Sequence, residues 1–252
     1  MKKIFLPAMA FILLFASCKK NEVVKPVEQV PVKLLKKLTK TENGVTTVFN
    51  FQYDAGGRLL SYRSSDNKTG IDFTYDGNDN LVKVINNEDD FVNVYTYKYN
   101  GGVPVSATFK SWQKTDGQQG AQIEDDALTY TVTQNKVTKI HVKFLLSGDE
   151  ADFSLNYEAN GNLSKIVSGN NNYTASFGYG GKKPVFPVLS RYVLDQAGFS
   201  LQFAVKNELL SVSFDFPGTQ FDETIVNQYT YDGNGYVLTS NDGSSQAVYE
   251  YQ

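Results

Sequence analysis

The feature that most restricts what this chain can become is a short pattern that keeps returning. Phe51-Gln52-Tyr53-Asp54-Ala55-Gly56-Gly57-Arg58-Leu59 is echoed by Phe73-Thr74-Tyr75-Asp76-Gly77-Asn78-Asp79-Asn80-Leu81. It returns as Leu155-Asn156-Tyr157-Glu158-Ala159-Asn160-Gly161-Asn162-Leu163 and as Tyr229-Thr230-Tyr231-Asp232-Gly233-Asn234-Gly235-Tyr236-Val237. Weaker copies centre on Tyr99, Tyr179 and Phe203, a degenerate one on Val132, and Tyr249-Glu250-Tyr251 stands just before the last residue, Gln252. Successive anchors at 53, 75, 99, 132, 157, 179, 203, 231 and 251 lie 20 to 33 residues apart. A period of that size marks an array of small supersecondary units.

Each part of the pattern has a physical task. Apolar or aromatic residues at alternate positions turn one face of a strand inward. Tyr suits the last position because its ring can be buried while its hydroxyl reaches water. Asp, Glu or Asn next caps a tight turn, and Gly fourth takes a left-handed conformation at little cost. Leu or Val then resumes the inward face. Each copy reads as a β-hairpin, and Glu42-Asn43-Gly44, Asn87 to Asp90 and Asp242-Gly243 supply turns between copies. Val45, Thr47, Phe49, Phe51 and Tyr53 share one face; Phe91, Tyr95, Tyr97 and Tyr99 another, interrupted by Asn93. Phe199, Leu201, Phe203 and Val205 follow, then Ile225, Tyr229 and Tyr231. This predicts about 16 to 18 short strands. Only Pro187 to Ala197, ending at Gly198, has the look of a short helix. An apolar face on so long a meander must be covered, by closure into an aromatic-filled, flattened barrel, or by a two-layer sandwich or strongly curved sheet.

The first residues belong to a different task. Met1-Lys2-Lys3 is positive, Ile4 to Phe15 is apolar but for Pro7, and Ala16-Ser17-Cys18 follows. That is the layout of a secretory signal, and the apolar run falls short of the roughly 20 residues a spanning helix needs. Small residues before Cys18 resemble a lipobox, although Phe15 stands where Leu, Val or Ile is usual. Cys18 is the only cysteine, so no disulfide can form within the chain, and acylation removes an otherwise reactive thiol. Residues 1–17 thus read as a signal peptide, 18–32 as a lipidated cysteine with a flexible, proline-bearing tether, and 33–252 as one β-repeat domain. The implied partner is a membrane, reached through the lipid on Cys18. Acidic residues after such a cysteine accompany surface display, but Lys19 and Lys20 stand there, which leaves the periplasmic and surface faces of the outer membrane both open.

Removing residues 1–17 takes away Lys2 and Lys3 and leaves 22 bases against 27 acids, a formal balance of −5. That balance argues against a nucleic-acid partner, which calls for a basic face. The 16 Tyr and 17 Phe against one Trp, in a chain rich in Thr, Val, Asn and Gly, suit β-structure.

At its repeats the chain resembles the tyrosine–aspartate (YD/RHS) repeat, aromatic-x-Tyr-Asp-x-x-Gly-Arg-Leu. Phe51 to Leu59 match throughout; Phe73 to Leu81 depart at Asp79 and Asn80. Joined to the lipoprotein signal and this length, the chain is similar to a Bacteroidetes lipoprotein family of unknown function with a porin-like fold, over residues 33–252. The resemblance implies an all-β fold, a long antiparallel meander of YD-like hairpins in a closed or strongly curved barrel-like sheet. Its structural positions here are Tyr53, Asp54, Gly57, Leu59, Tyr75, Asp76, Leu81, Tyr157, Gly161, Leu163, Tyr231, Asp232 and Gly235. It brings no catalytic residue with it.

Candidate chemistry is sparse. His141, the only histidine, alternates along a strand with no nameable partner and reads as a plain strand residue. With one Cys and one His there is no zinc set. Asp76-Gly77-Asn78-Asp79-Asn80 resembles the start of a calcium loop, but Asn87 stands where the closing Glu belongs, and tight turns use the same residues. Glu88-Asp89-Asp90 and Glu124-Asp125-Asp126 read as solvated turns at strand ends. Gly178 to Lys183 lacks the Gly-Lys-Ser/Thr of a phosphate loop. Trp112 stands at the start of the longest polar loop, Gln113 to Gln122, and is the one candidate ligand contact. No metal, cofactor or catalytic residue is expected. The reading is an envelope protein of structural or interaction type anchored through Cys18, with an unidentified envelope-protein partner, or alternatively a glycan-binding outer-membrane lipoprotein.

Overall fold

A computed structural model describes residues 32–252. Within them the strands are β1 (Leu35–Glu42), β2 (Val45–Tyr53), β3 (Leu59–Ser64), β4 (Gly70–Tyr75), β5 (Leu81–Asn87) and β6 (Phe91–Asn100). There follow β7 (Val103–Thr115), β8 (Gln118–Thr133), β9 (Lys136–Phe144), β10 (Glu150–Tyr157), β11 (Leu163–Ser168) and β12 (Thr174–Tyr179). The last five are β13 (Leu209–Asp215), β14 (Glu223–Val226), β15 (Gln228–Tyr231), β16 (Val237–Asn241) and β17 (Ser245–Tyr251). All belong to one antiparallel meander, and β1 pairs with both β2 and β17, so the sheet returns on itself as a nearly closed barrel. The sandwich and open-sheet alternatives fall away. β14 and β15 are two lengths of one run broken at Asn227: the first pairs with β13, the second with β16. Counted together they leave sixteen strands, the even number an antiparallel ring requires.

The repeat explains how the ring closes. At each Tyr–Asp hairpin the anchor residue pairs with the returning Leu or its equivalent, and the register slips by one residue immediately before it. The pairs are Tyr53 with Leu59, Tyr75 with Leu81, Tyr99 with Pro104, Val132 with Val137, Tyr157 with Leu163, Tyr179 with Leu209 and Tyr231 with Val237. The same bulge occurs where the first and last strands meet, with Tyr251 opposite Leu35. Each bulge bends its strand and adds twist; repeated at one end of every hairpin, it curls the sheet in a single direction. Of the nine anchors read from the sequence, eight are such corners. The exception is Phe203.

Inside the turns the aspartates do local work. Asp54 Oδ1 accepts from the backbone N–H of Gly56 and Arg58, both at 2.9 Å, and Asp76 and Asp232 bond the equivalent amides. Gly57 takes φ 81°, and where Asp79 replaces it the same left-handed turn is kept at φ 63°. The sequence sends the tyrosine hydroxyls to water; in the structure they bond the backbone instead. Each donates to the backbone carbonyl at the start of the neighbouring unit: Tyr53 to Leu35, Tyr75 to Leu59, Tyr99 to Leu81, Tyr157 to Val137, Tyr179 to Leu163 and Tyr251 to Val237, at 2.7–2.9 Å. After the break at Asn227 the task passes to Tyr229, which donates to Leu209, while Tyr231 donates to the buried Glu208. The rings thus staple unit to unit around one rim.

The core lies inside the ring, and the chain itself fills it. Residues 180–208, between β12 and β13, dive into the barrel instead of making a short corner, and Tyr192, Val193, Leu194, Leu201, Phe203 and Val205 are buried there. The expected strand through Phe199, Leu201, Phe203 and Val205 is instead irregular chain around a 3-10 turn, Ser200–Phe203, and Pro187 to Ala197 is not helical. The alternation places Leu201, Phe203 and Val205 in the core, with Gln202 and Ala204 between them only partly covered. Phe203 sits edge-on to Phe73 at 5.0 Å, and Phe199 stacks on Tyr95 at 4.8 Å. Asp195 accepts from the N–H of Phe199 and Ser200, and Tyr130 donates to the Leu194 carbonyl. At the neck, buried Asn162 bonds Asn207 and the Lys206 N–H, and Glu208 accepts from the Lys182 N–H at 2.6 Å.

Candidate functional site

The outer wall is largely polar, with exposed Val248, Leu238 and Val226 scattered among its charges and hydroxyls. In-register pairs across it include Lys37–Glu250, Lys110–Asp125 at 3.0 Å and Lys143–Glu150 at 3.1 Å, with Thr41–Thr46 and Thr230–Thr239 hydroxyl pairs between them. A barrel spanning a bilayer puts an apolar band outside and commonly a polar lumen within. Here the arrangement is reversed. The rings and aliphatic chains point inward against the plug, and charges and hydroxyls point out.

With one rim sewn up by tyrosines, openings occur at the other. Two clefts lie there, separated by the plug near residues 196–202. The larger, about 960 Å³, has aromatic walls of Phe144, Phe153, Tyr173, Phe214 and Phe216 and a plug-side wall of Gln196 and Ala197. Tyr173 stacks on Phe214 at 6.5 Å and lies 5.3 Å from Phe216, while Phe153 meets it edge-on at 6.3 Å. The Gln196 Oε1 is buried without a protein partner among the described residues. Burial raises the Tyr173 hydroxyl above its ordinary value. The smaller cleft, about 720 Å³, is more mixed, with Lys40, Glu42, Glu88, Asp89 and Asp90 beside Phe49, Tyr62 and Phe199.

The residues singled out in the sequence fall elsewhere. Tyr53, Asp54, Gly57, Leu59, Tyr75, Asp76, Leu81, Tyr157, Gly161, Leu163, Tyr231, Asp232 and Gly235 are all at the sewn rim, and none lines either large cleft. Cys18, the expected signal peptide and the expected tether as far as residue 31 lie outside the described residues. Asp76 spends its carboxylate on its own turn, accepting from Asn78, Asn80 and the Asn80 side chain. Trp112 does not open a loop: β7 and β8 continue as a long hairpin past it to Asp116-Gly117, and it pairs with Val92 and Gln122 outside both clefts. Ladder continuity overrides the weak strand preference of Gln, Lys and Gly there.

Glu124, Asp125 and Asp126 are likewise within β8, not in a turn. Asp126 pairs in register with Phe144 and is only 5% exposed. Burial, reinforced by Glu124 and Asp125, pushes its carboxyl up to about 6. His141 is not alone: its Nδ1 is 2.9 Å from Asp152 Oδ1, with Glu150 at 3.7 Å from Nε2, at the lip of the larger cleft. The wall rings were missed because the sequence reading stopped at the motif. Phe153 is the far end of the inward row Phe153-Leu155-Tyr157, a signal available in the alternation.

Fold and site together define a plugged β-barrel whose wall carries in-register ion pairs and whose open rim carries an aromatic cleft. No protein-family model and no curated protein matches the chain. Among solved structures it is similar to a porin-like protein from Bacteroides vulgatus ATCC 8482, at 12% identity and a TM-score of 0.56 over 88% of this chain and 99% of that one. A porin-like protein from Bacteroides uniformis ATCC 8492 aligns at 16% identity and a TM-score of 0.46 over the same shares. At 12% identity the first likeness is one of fold.

Proposed function

We propose that this is a cell-envelope lipoprotein, held at the outer membrane by acyl chains on Cys18, whose barrel stands in water as an interaction scaffold and uses its larger cleft as a ligand seat. The observation that carries this reading is the reversed barrel: a polar, ion-paired wall around an apolar, plugged interior. Such a wall does not suit lipid, so membrane attachment falls to the amino-terminal cysteine, and a filled interior offers no conduit. The kinship of fold with porin-like proteins agrees with an envelope setting. The role proposed is binding rather than catalysis. The glycan alternative rested on Trp112 and exposed tyrosines; Trp112 lies outside both clefts and the tyrosines of the described residues are buried or half-buried, so the scaffold reading is carried forward.

Expression of the full chain in a Gram-negative host fed an alkyne-bearing fatty acid tests this. The expected result is label on the wild-type chain, none on Cys18→Ala, and release of the variant's barrel from washed membranes. A barrel still embedded after Cys18→Ala, or a wild-type chain without label, would overturn it.

A further inference from the structure

The larger cleft combines two properties that together specify a ligand. Its walls are aromatic, with Tyr173, Phe214 and Phe216 clustered on one side. Its charged lining is Glu150, Asp152 and Glu223 with His141, and no Lys or Arg lines it. The nearby nitrogen groups are committed: Lys143 to Glu150, and the His141 ring to Asp152 and Glu150. Glu223 is different. It pairs in register with Phe214, which places it beside the rings, and it has no salt-bridge partner among the described residues.

An aromatic face attracts a cation through its quadrupole, and a carboxylate at the rim adds to that attraction. The same pair repels carboxylates, phosphates and sulfates, for which the cleft offers no counter-charge. A volume of about 960 Å³ is that of a site for a drug-sized molecule. Resting on the reading of this cleft as a ligand seat, we propose that it takes a small organic cation, an ammonium or guanidinium on an aromatic or aliphatic body, with the body against Tyr173, Phe214 and Phe216 and the charge at Glu223.

Three water-soluble probes that share a naphthylethyl body separate the possibilities: the trimethylammonium, the alcohol and the carboxylate. Each is titrated calorimetrically into the full chain in zwitterionic nanodiscs, with empty nanodiscs subtracted. The ammonium is expected to bind about tenfold more tightly than the carboxylate. Glu223→Gln is expected to weaken the ammonium about three- to fivefold and leave the alcohol unchanged within about twofold. Carboxylate binding as tight as ammonium binding, or an unchanged ammonium affinity in Glu223→Gln, overturns the assignment of charge while leaving the seat in place. No binding by any of the three overturns the seat and the assignment together.

Discussion

The two rims of this barrel are made from the same strands and could hardly differ more. At the sewn rim eight corners repeat one design: an anchor residue opposite Leu, Val or Pro, a one-residue bulge, and at most of them a hydroxyl donated to the neighbouring unit. At the open rim the turns vary, from the tight Asn43-Gly44 to residues 216–222, and between them lie the clefts. Repetition answers a demand shared by every unit, which is closure. Irregularity is free to appear where closure is already secured, and loops held by a rigid scaffold are where recognition is usually built. The plug belongs to both: it enters by replacing one corner of the sewn rim and ends by dividing the open one.

The sharpest way to break this division is through the plug. Phe203 is 1% exposed and touches Phe73, Phe186 and Phe199. Phe203→Ala should cost about 3–5 kcal/mol in denaturant unfolding, the range for an aromatic removed from a core that cannot collapse. A cost under about 1 kcal/mol would show that the barrel folds without its filling.

Next comes a group near the open rim that should weaken the fold. In the folded chain the Asp126 carboxyl keeps its proton up to about 6, against about 4 unfolded. The folded state therefore holds more protons between these values, and stability falls as pH rises through them. Asn carries no proton to lose. Asp126→Asn should match the parent near pH 4 and exceed it by about 1–2 kcal/mol at pH 7, less than the full shift implies because the substitution also alters the unfolded chain. Equal stabilities at both pH values would contradict the buried, crowded carboxylate.

A smaller contrast compares tyrosines. Tyr75→Phe deletes the hydroxyl bonded to the Leu59 carbonyl at 2.8 Å and should cost about 1 kcal/mol. Tyr173, whose contacts at the open rim are ring against ring, should tolerate Phe within about 0.5 kcal/mol. Equal costs would remove the special status of the sewn rim.

The sewn rim was legible in the sequence because its chemistry is local. Asp54 bonds amides two and four residues on, so the whole corner is written within Tyr53 to Leu59. What was not legible is what distant strands bring together. Phe153, Tyr173 and Phe214 come from three strands and meet only when the ring closes. Phe203 misled for a related reason. Period-two alternation says that apolar side chains need cover, but not whether the cover is a sheet on one face or a barrel on all of them. Tyr192 to Leu194, apolar and unbroken, were the better sign of a segment covered all round.

The smallest expected effect tests whether the ring is truly repetitive where its first and last strands meet. Leu34 and Gln252 exchange backbone hydrogen bonds, at 3.1 and 2.9 Å, as Asp54 and Arg58 do on one side at 3.0 Å. Gln252 thus occupies the Asp position, Leu34 that of Arg58, and Lys33 that of Gly57. Two residues would complete the corner. A circular variant of residues 33–252 carrying Gln252→Asp, an inserted Ala-Gly and Lys33→Gly, and opened between Asn43 and Gly44, should therefore fold to the same barrel. Its stability should stay within about 1 kcal/mol of the parent's, since closing one short loop and opening another nearly cancel in chain entropy. The variant loses the Lys33–Asp232 pair at 2.6 Å, a half-buried contact whose removal should account for most of that difference. Loss of cooperative unfolding would mean that the meeting of β1 and β17 is a seam rather than an eighth corner.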